Sequence, residues 1–555
     1  MKNAWQAIVE GLQAQGVKYV FGMPGNPHLL YDALYDSDIK AIHAREQSSG
    51  VFMAMGYARA QLELGVCFGS TGPGFTNMVS GILEAQAASV PLLVLSAGVS
   101  TTFEGLPAFQ ETDQVAMAKP ITKWAYRVLE PERIPWALRR AISIATTGCP
   151  GPVYLEIPSN LSTKKVNMPV YETYTAPLPP RAAAGAMEEL VSLLSQAERP
   201  VIFAGGGAVW SGAFDQVRSL ADDWGIPVLT TASGRGIIDE NNPLALGLTG
   251  LYFTDLGREV YFDADLVLIL GSRLDQFETG EWRYRPAGAK LIHVDIDPTA
   301  IGRNWIPDLG VVGDVKLVLE DLLAALEGQP KKWSDRAKAI ADRKEAYLQK
   351  LAEDCLEKAQ PLKTKSIIWS LGAVFGPKTV LVNENGSQDL WSYYSPYFRV
   401  PERGCIPPGA QTCMGLGVSG AIGVKLARPN EPVVCVTGDG AFQMFMRELP
   451  TAVQHNAPVT YIILNNKALG WIQYHQRQHH NRFICTDFTV QPDFAKIAEA
   501  CGCFGRQVTT PEEVVPALEA AKAANDRGIP AVLDFIVDSE VAPGFDKFYQ
   551  ELHGY

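Results

Sequence analysis

The sequence predicts an α/β protein made of three doubly wound parallel-sheet domains. Short apolar, β-branched runs alternate with amphipathic helical segments along most of the chain. Several of these runs end in glycine-rich turns, and the ends of strands are where open α/β sheets bind ligands. At 555 residues the chain is also too long for a single core.

The elements follow in order. In residues 1–165, Trp5, Ile8, Val9 and Leu12 form one helix face, which Gly16 ends. VKYVFGMPG is a strand running into a glycine turn, and AIHAREQSSG places Glu46 between a strand and a small-residue helix. GVCFGSTGPGFTN reads as a strand and a loop, while PLLVLSAG and PVYLEIP read as buried strands. Residues 166–184 carry four prolines and form a linker. The central domain, 185–330, contains the strands PVIFAGGG, PVLTTA, LVLILGS and KLIHVDIDP. A charged helical segment, with most of its charge on a solvated face, leads to the third domain at 360–537. Residues 538–555 remain as a tail.

Composition narrows the function. Hydrophobic residues make up 47% and charged residues 19%, the profile of a soluble globular protein. A formal charge of −12 without a basic cluster argues against a nucleic-acid surface. Nine scattered cysteines, with only Cys501 and Cys503 close together, suggest reduced thiols in the cytoplasm rather than a disulfide framework or zinc site. The N-terminus lacks the apolar core of a signal peptide, and no stretch has membrane-spanning length.

Residues 433–466 organise the chemistry. VVCVTGDG reads as a strand and tight turn, a helical segment follows, and YIILNN is a second strand. Pro450 argues against one unbroken helix between them. Both polar ends therefore fall on one edge of a parallel sheet. Asp439 supplies a carboxylate and Asn466 an amide carbonyl for a hard cation. Gly438 and Gly440 let a diphosphate approach the backbone and the helix start at Ala441.

GDG followed after 24 residues by NN resembles the signature of thiamine-diphosphate enzymes. FGMPG at 21–25, REQ at 45–47, STGPGFTN at 70–77, FQETD at 109–113, HVDIDP at 293–298 and MGLGVSGAIG at 414–423 extend the resemblance over nearly the whole chain. They are similar to the acetolactate-synthase and benzaldehyde-lyase-like branch. The resemblance implies pyrimidine-binding, central and diphosphate-binding domains, with thiamine diphosphate and Mg²⁺ between the first domain of one subunit and the third of another. A homodimer or homotetramer is expected.

Each site residue is carried over by position. Glu46 matches the glutamate that hydrogen-bonds the pyrimidine N1′ and favours the 4′-imino tautomer; read alone, it is an acidic residue at a helix start. Met414 matches the residue that props the cofactor into its V shape, and the Thr412 carbonyl falls where the 4′-amino group is bound. Gly386, Ser387 and Gln388 occupy the diphosphate-contacting loop with an altered pattern. The Ala468 carbonyl would complete metal ligation. Asn26 and Gln110 line the reaction centre, and His28 is either a proton shuttle or a helix-end residue.

Departures concern the second substrate and a flavin. The family's FDDR is Leu274-Asp275-Gln276-Phe277 here, and a tryptophan after NN is His475, expected to make the acceptor pocket titratable. His475 and His479 read as a polar helix face. The GMHG turn near the flavin is Gly250-Leu251-Tyr252-Phe253, while Gly205–Gly207 and HVDIDP keep a nucleotide-binding look, so FAD is left open. The expected activity is decarboxylation of a 2-oxo acid and ligation of the acyl unit to an acceptor carbonyl. A polar acceptor, such as an aldehyde or hydroxylated carbonyl, is favoured over pyruvate. An acyloin or dione lyase, a simple decarboxylase and a non-catalytic nucleotide-binding paralogue are the alternatives.

Overall fold

The structure, a computed structural model, describes residues 1–553. It forms two compact units. The first comprises residues 1–178, 408–430 and 444–459, and the second comprises 179–407, 431–443 and 460–555.

The first unit carries a six-stranded parallel sheet of β1 (Tyr19–Gly22), β2 (Lys40–His43), β3 (Gly65–Gly69), β4 (Leu92–Gly98), β5 (Trp124–Arg127) and β6 (Val153–Pro158). Its order is β2-β1-β3-β4-β6-β5. Every residue of β3, β4 and β6 is buried, as expected for strands covered on both faces. The helix Gln47–Gln61 is buried almost all round and packs against the helix Leu416–Ala427. A Cβ on Gly56 would strike the Gly420 backbone, and one on Gly423 would strike the Met53 carbonyl, so these crossings need glycine.

The second unit carries two more six-stranded parallel sheets among its described residues. The first contains β7 (Pro200–Ala204), β8 (Val228–Thr230), β9 (Ala245–Leu248), β10 (Leu266–Leu270), β11 (Lys290–Asp295) and β12 (Leu309–Val312), ordered β12-β11-β10-β7-β8-β9. The other contains β13 (Val380–Asn383), β14 (Cys405–Ile406), β15 (Val433–Gly438), β16 (Thr460–Asn465), β17 (Phe504–Val508) and β18 (Ala531–Ile536), ordered β14-β13-β15-β16-β18-β17. The α/β class with three parallel sheets is thus as the sequence predicts.

Several local readings need correction. Strands β9 and β12 were not anticipated, because each is four residues long and carries glycine in the run. The STGPGFTN loop contains a short helix, Pro73–Thr76, opened by its proline. The C-terminal tail carries the helix Pro543–His553, whose Phe545, Phe548, Tyr549 and Leu552 are buried at helical spacing. In the charged helix Ser334–Cys355 most charged residues are exposed, as the sequence predicts, while Lys344 is buried. Its ammonium donates to the carbonyls of Glu240, Asn242 and Ala245 at 2.6–2.8 Å. Among the described residues, no helix is long and apolar enough to cross a membrane.

Candidate active site

In the second unit, β15 and β16 are neighbours, with Gly438 opposite Leu464. This register brings the turn after Gly438 and the turn after Asn465 to the same sheet edge. Asp439 opens the helix Asp439–Phe445, which also carries Gly440 and the buried Ala441. The helix stops there because a 3-10 turn, Met446–Glu448, precedes Leu449–Gln454, where Pro450 lies in the first turn.

Asp439 is buried and accepts a short hydrogen bond from Gln491 Nε2. Burial pushes its carboxyl up to about 7. Asn466 Oδ1 accepts from the Ala468 amide at 3.3 Å, while its Nδ2 is buried without a partner. Ala468 is 5% exposed and pairs with Asp487 in an isolated bridge. The first asparagine of the pair has another task. Asn465 Nδ2 donates to Asp534 Oδ1 at 2.9 Å, and Gln507 binds the other Asp534 oxygen.

The loop after β13 contributes unevenly. Ser387 is buried, and a Cβ added to Gly470 would meet both Ser387 Oγ and Asn466 Nδ2, so Gly470 lets these polar groups converge. Gly386 is half-buried beside Asp389. The Gln388 side chain is committed elsewhere. Its Oε1 accepts from Thr364 at 2.7 Å and its Nε2 donates to the Glu540 carbonyl at 3.1 Å. Asp389 is fully buried behind Gly438, and burial and then Glu384 hold its carboxyl well above the usual range. Sequence reasoning missed Asp389, Gly470 and Gln491. None belongs to a spaced motif, and Gln491 arrives from a loop 52 residues beyond Asp439.

In the first unit, Glu46 caps the helix Gln47–Gln61, its Oε2 accepting from the Ser49 amide at 3.0 Å and from Ser48 Oγ. Glu448, fully buried, accepts the Arg45 amide at 3.0 Å and Thr451 Oγ1 at 2.8 Å, so it fixes the residue just before Glu46. Burial raises the Glu448 carboxyl, with Glu46 nearby adding to the effect. An open pocket of about 430 Å³ brings Asn26 and Gln110 together with Thr71, Ser100 and Phe109. Gln110 takes a left-handed φ of 61°, and the Asn26 amide donates to Ser70 Oγ at 3.2 Å. His28 is exposed as the first residue of the helix His28–Tyr35, and neither it nor Glu46 lines that pocket. Thr412 has φ 47°, and Met414 is 36% exposed.

His475 does not sit on a polar face. It accepts from Trp471 Nε1 at 3.1 Å and packs edge-on to Tyr549 at 5.0 Å, and burial lowers its pKa. Phe277 is likewise packed, 6.1 Å from both Trp471 and Phe548.

Three family descriptions match the chain. They are "Thiamine pyrophosphate enzyme, N-terminal TPP binding domain" over residues 2–117, "Thiamine pyrophosphate enzyme, central domain" over 187–322, and "Thiamine pyrophosphate enzyme, C-terminal TPP binding domain" over 385–535. The chain is 36% identical to a probable acetolactate synthase large subunit of Methanocaldococcus jannaschii, covering 97% of this chain and 92% of the relative. It is 33% identical to a protein of the same description from Methanococcus aeolicus, covering 98% and 94%. It is 32% identical to the acetolactate synthase large subunit of Corynebacterium glutamicum, covering 97% and 87%.

The chain belongs to the thiamine pyrophosphate enzyme family. Its residues fit the family's cofactor, thiamine diphosphate. The orphaned Asn466 Nδ2 is a donor suited to a phosphate oxygen, and Asp439, Asn466 Oδ1 and the Ala468 carbonyl offer hard oxygen atoms. Beyond Gly438, a Cβ would meet only Asp389, at 4.0 Å, which leaves an open cradle at the strand end. Among the described residues no cluster of three or more His, Cys, Asp or Glu could hold a metal. The glycines of the thiamine pyrophosphate enzyme's central domain have a packing reason of their own. Side chains at Gly205 or Gly207 would collide with the Gly271 backbone.

Proposed function

We propose that this enzyme is a thiamine-diphosphate- and Mg²⁺-dependent carboligase that decarboxylates a 2-oxo acid and joins the acyl unit to an acceptor carbonyl. The observation that carries this is the convergence of Asp439 and Asn466, with its unpartnered amide nitrogen, at the ends of adjacent strands in a chain similar to acetolactate synthases.

When bound, thiamine diphosphate supplies an electron sink for the carbanion left by decarboxylation. Asp439, Asn466 and the Ala468 carbonyl would hold the cation, and Gly438, Gly440, Ala441, Gly386 and Ser387 would bind the diphosphate with backbone and hydroxyl groups. Glu46 holds and exchanges a proton at its carboxylate. Met414 and the Thr412 carbonyl orient the cofactor. Asn26 and Gln110, gathered in one pocket, contact the substrates, with His28 outside it.

The enzyme acts as a homodimer or homotetramer, the first domain of one copy completing the site with the third domain of another, as the resemblance implies. Its nine cysteines form no disulfide among the described residues, which suits the cytoplasm. Phe277 in place of a cationic fork favours an aldehyde or hydroxylated acceptor over a second 2-oxo acid. His475 carries none of this argument, since Trp471 and Tyr549 occupy it.

The test is product analysis. The protein loaded with thiamine diphosphate and Mg²⁺ is incubated with pyruvate alone, then with pyruvate and a panel of aldehydes. Release of CO₂ with a new C–C bond supports the carboligase, and a larger yield with an aldehyde supports the acceptor assignment. CO₂ and free aldehyde alone would make it a simple decarboxylase, and efficient acetolactate formation with no gain from any aldehyde would overturn the acceptor preference.

A further inference from the structure

We infer that Glu84 is a positioning residue for cofactor binding, its buried carboxylate clamping the 409–413 loop in the shape that presents Thr412 and Met414. The inference rests on the cofactor reading above and adds to it a residue that no motif marks.

Glu84 lies on the helix Val79–Ala87 and is 0% exposed. One carboxylate oxygen accepts the Gly409 amide and the other accepts the Cys413 amide at 3.0 Å. The two donors bracket a tight turn in which the Thr412 amide donates to the Gly409 carbonyl at 3.0 Å. Both ends of the turn are therefore tied to one rigid group. Gly409 sits so close to this helix that a Cβ would meet Ala88 and Glu84. Cys413 Sγ also lies 3.5 Å from the Ser80 carbonyl, one turn earlier on the same helix.

Thr412 gives the second observation. It is β-branched yet held at φ 47°, a left-handed conformation that such residues rarely adopt. A strained residue persists only where its surroundings over-determine it, and strain of this kind collects at ligand clamps. A buried carboxylate that receives both flanking amides meets that need. A neutral amide in its place would turn an NH₂ group toward one of two N–H donors and leave that donor unsatisfied.

The experiment is a double-mutant cycle on the full chain. Apo wild type, Glu84→Gln, Thr412→Gly and the double variant are titrated calorimetrically with thiamine diphosphate and Mg²⁺. Glu84→Gln is expected to weaken cofactor binding about ten- to hundred-fold, the loss of one hydrogen bond to a charged group. The KM for the 2-oxo acid should move far less. In the Thr412→Gly background, where the turn is no longer strained, the same substitution should cost clearly less, because the two sites are coupled. Wild-type affinity in a folded Glu84→Gln, or an equal loss in both backgrounds, would overturn the proposal. If Glu84→Gln does not fold, hydrogen exchange in the apo wild type decides. Protected Gly409 and Cys413 amides support a preformed clamp, and protection that appears only with cofactor refutes it. A wild type that binds no thiamine diphosphate would remove the cofactor reading itself, an outcome distinct from a variant that binds normally.

Discussion

Gln491 Nε2 donates to the carboxylate of Asp439 and lies 3.4 Å from Asn465 Oδ1, so one amide orients the acid and touches the strand end beside it. Asp439→Ala or Asn466→Ala is expected to abolish metal-anchored cofactor binding, since each removes one of few oxygen ligands on a hard cation. Gln491→Leu, which removes only the orienting partner, should weaken metal affinity by roughly 10–100-fold. Calorimetric titration of the apo-proteins with thiamine diphosphate and Mg²⁺ measures both, and unchanged affinity in the Asp439 and Asn466 variants would refute the site.

Glu46→Gln should fold normally, because its side-chain oxygen still caps the helix through the Ser49 amide. It cannot exchange a proton as the acid does. Exchange of the cofactor's C2 hydrogen with deuterium is expected to slow by roughly 10²–10⁴-fold. Exchange at the wild-type rate would reduce Glu46 to the capping role that the geometry already gives it.

Asp295 gives a pH prediction away from the site. It is 7% exposed, and burial pushes its carboxyl up to about 6. The folded state therefore binds the proton more tightly than the unfolded chain does. Its contribution to stability is present below pH about 4 and is lost as pH rises through 6. Asp295→Asn keeps an acceptor for the Asp297 amide, which donates at 2.9 Å. Thermal unfolding at pH 4.5, 6 and 8 should show the variant gaining stability at the two higher values, by up to about 3 kcal/mol. A parallel pH profile for both proteins would count against it.

The C-terminal helix is a load on the core. Phe545 is fully buried, with its ring 4.4 Å from Tyr474 and 4.9 Å from Trp471. Phe545→Ala is expected to cost about 3–5 kcal/mol. Urea unfolding followed by tryptophan fluorescence measures it, and a loss below about 1 kcal/mol would mean that the helix is loosely held.

What the sequence disclosed depended on the range of each signal. The run from Val433 to Gly438 and the run ending in Asn466 were legible because burial on both faces leaves an unbroken apolar string. Pro450 marked the helix break for a local steric reason. The buried face of the C-terminal helix was also written in its periodicity, yet its Pro543-Gly544 start and short length concealed it. Gln491, Asp389 and Glu84 were illegible because each meets its partners through tertiary packing alone. His475 shows the reverse error. A titratable residue beside a motif invited a chemical role, whereas Trp471 and Tyr549 occupy it.

The packing of the helix Gln47–Gln61 against Leu416–Ala427 bears on how the protein is made. The first unit draws on residues 408–430 and 444–459, which leave the ribosome about 230 residues after its opening stretch ends at Leu178. At ~5–20 residues per second, translation takes roughly 10–50 s to cover that gap. During this interval the small-residue face of the nascent helix lacks its partner, and the N-terminal segment with its parallel sheet stands exposed to misassembly. A fragment ending near Leu178 would carry the same exposed face permanently, so co-expression with the remainder of the chain, rather than isolated expression, is the route to a folded N-terminal sheet.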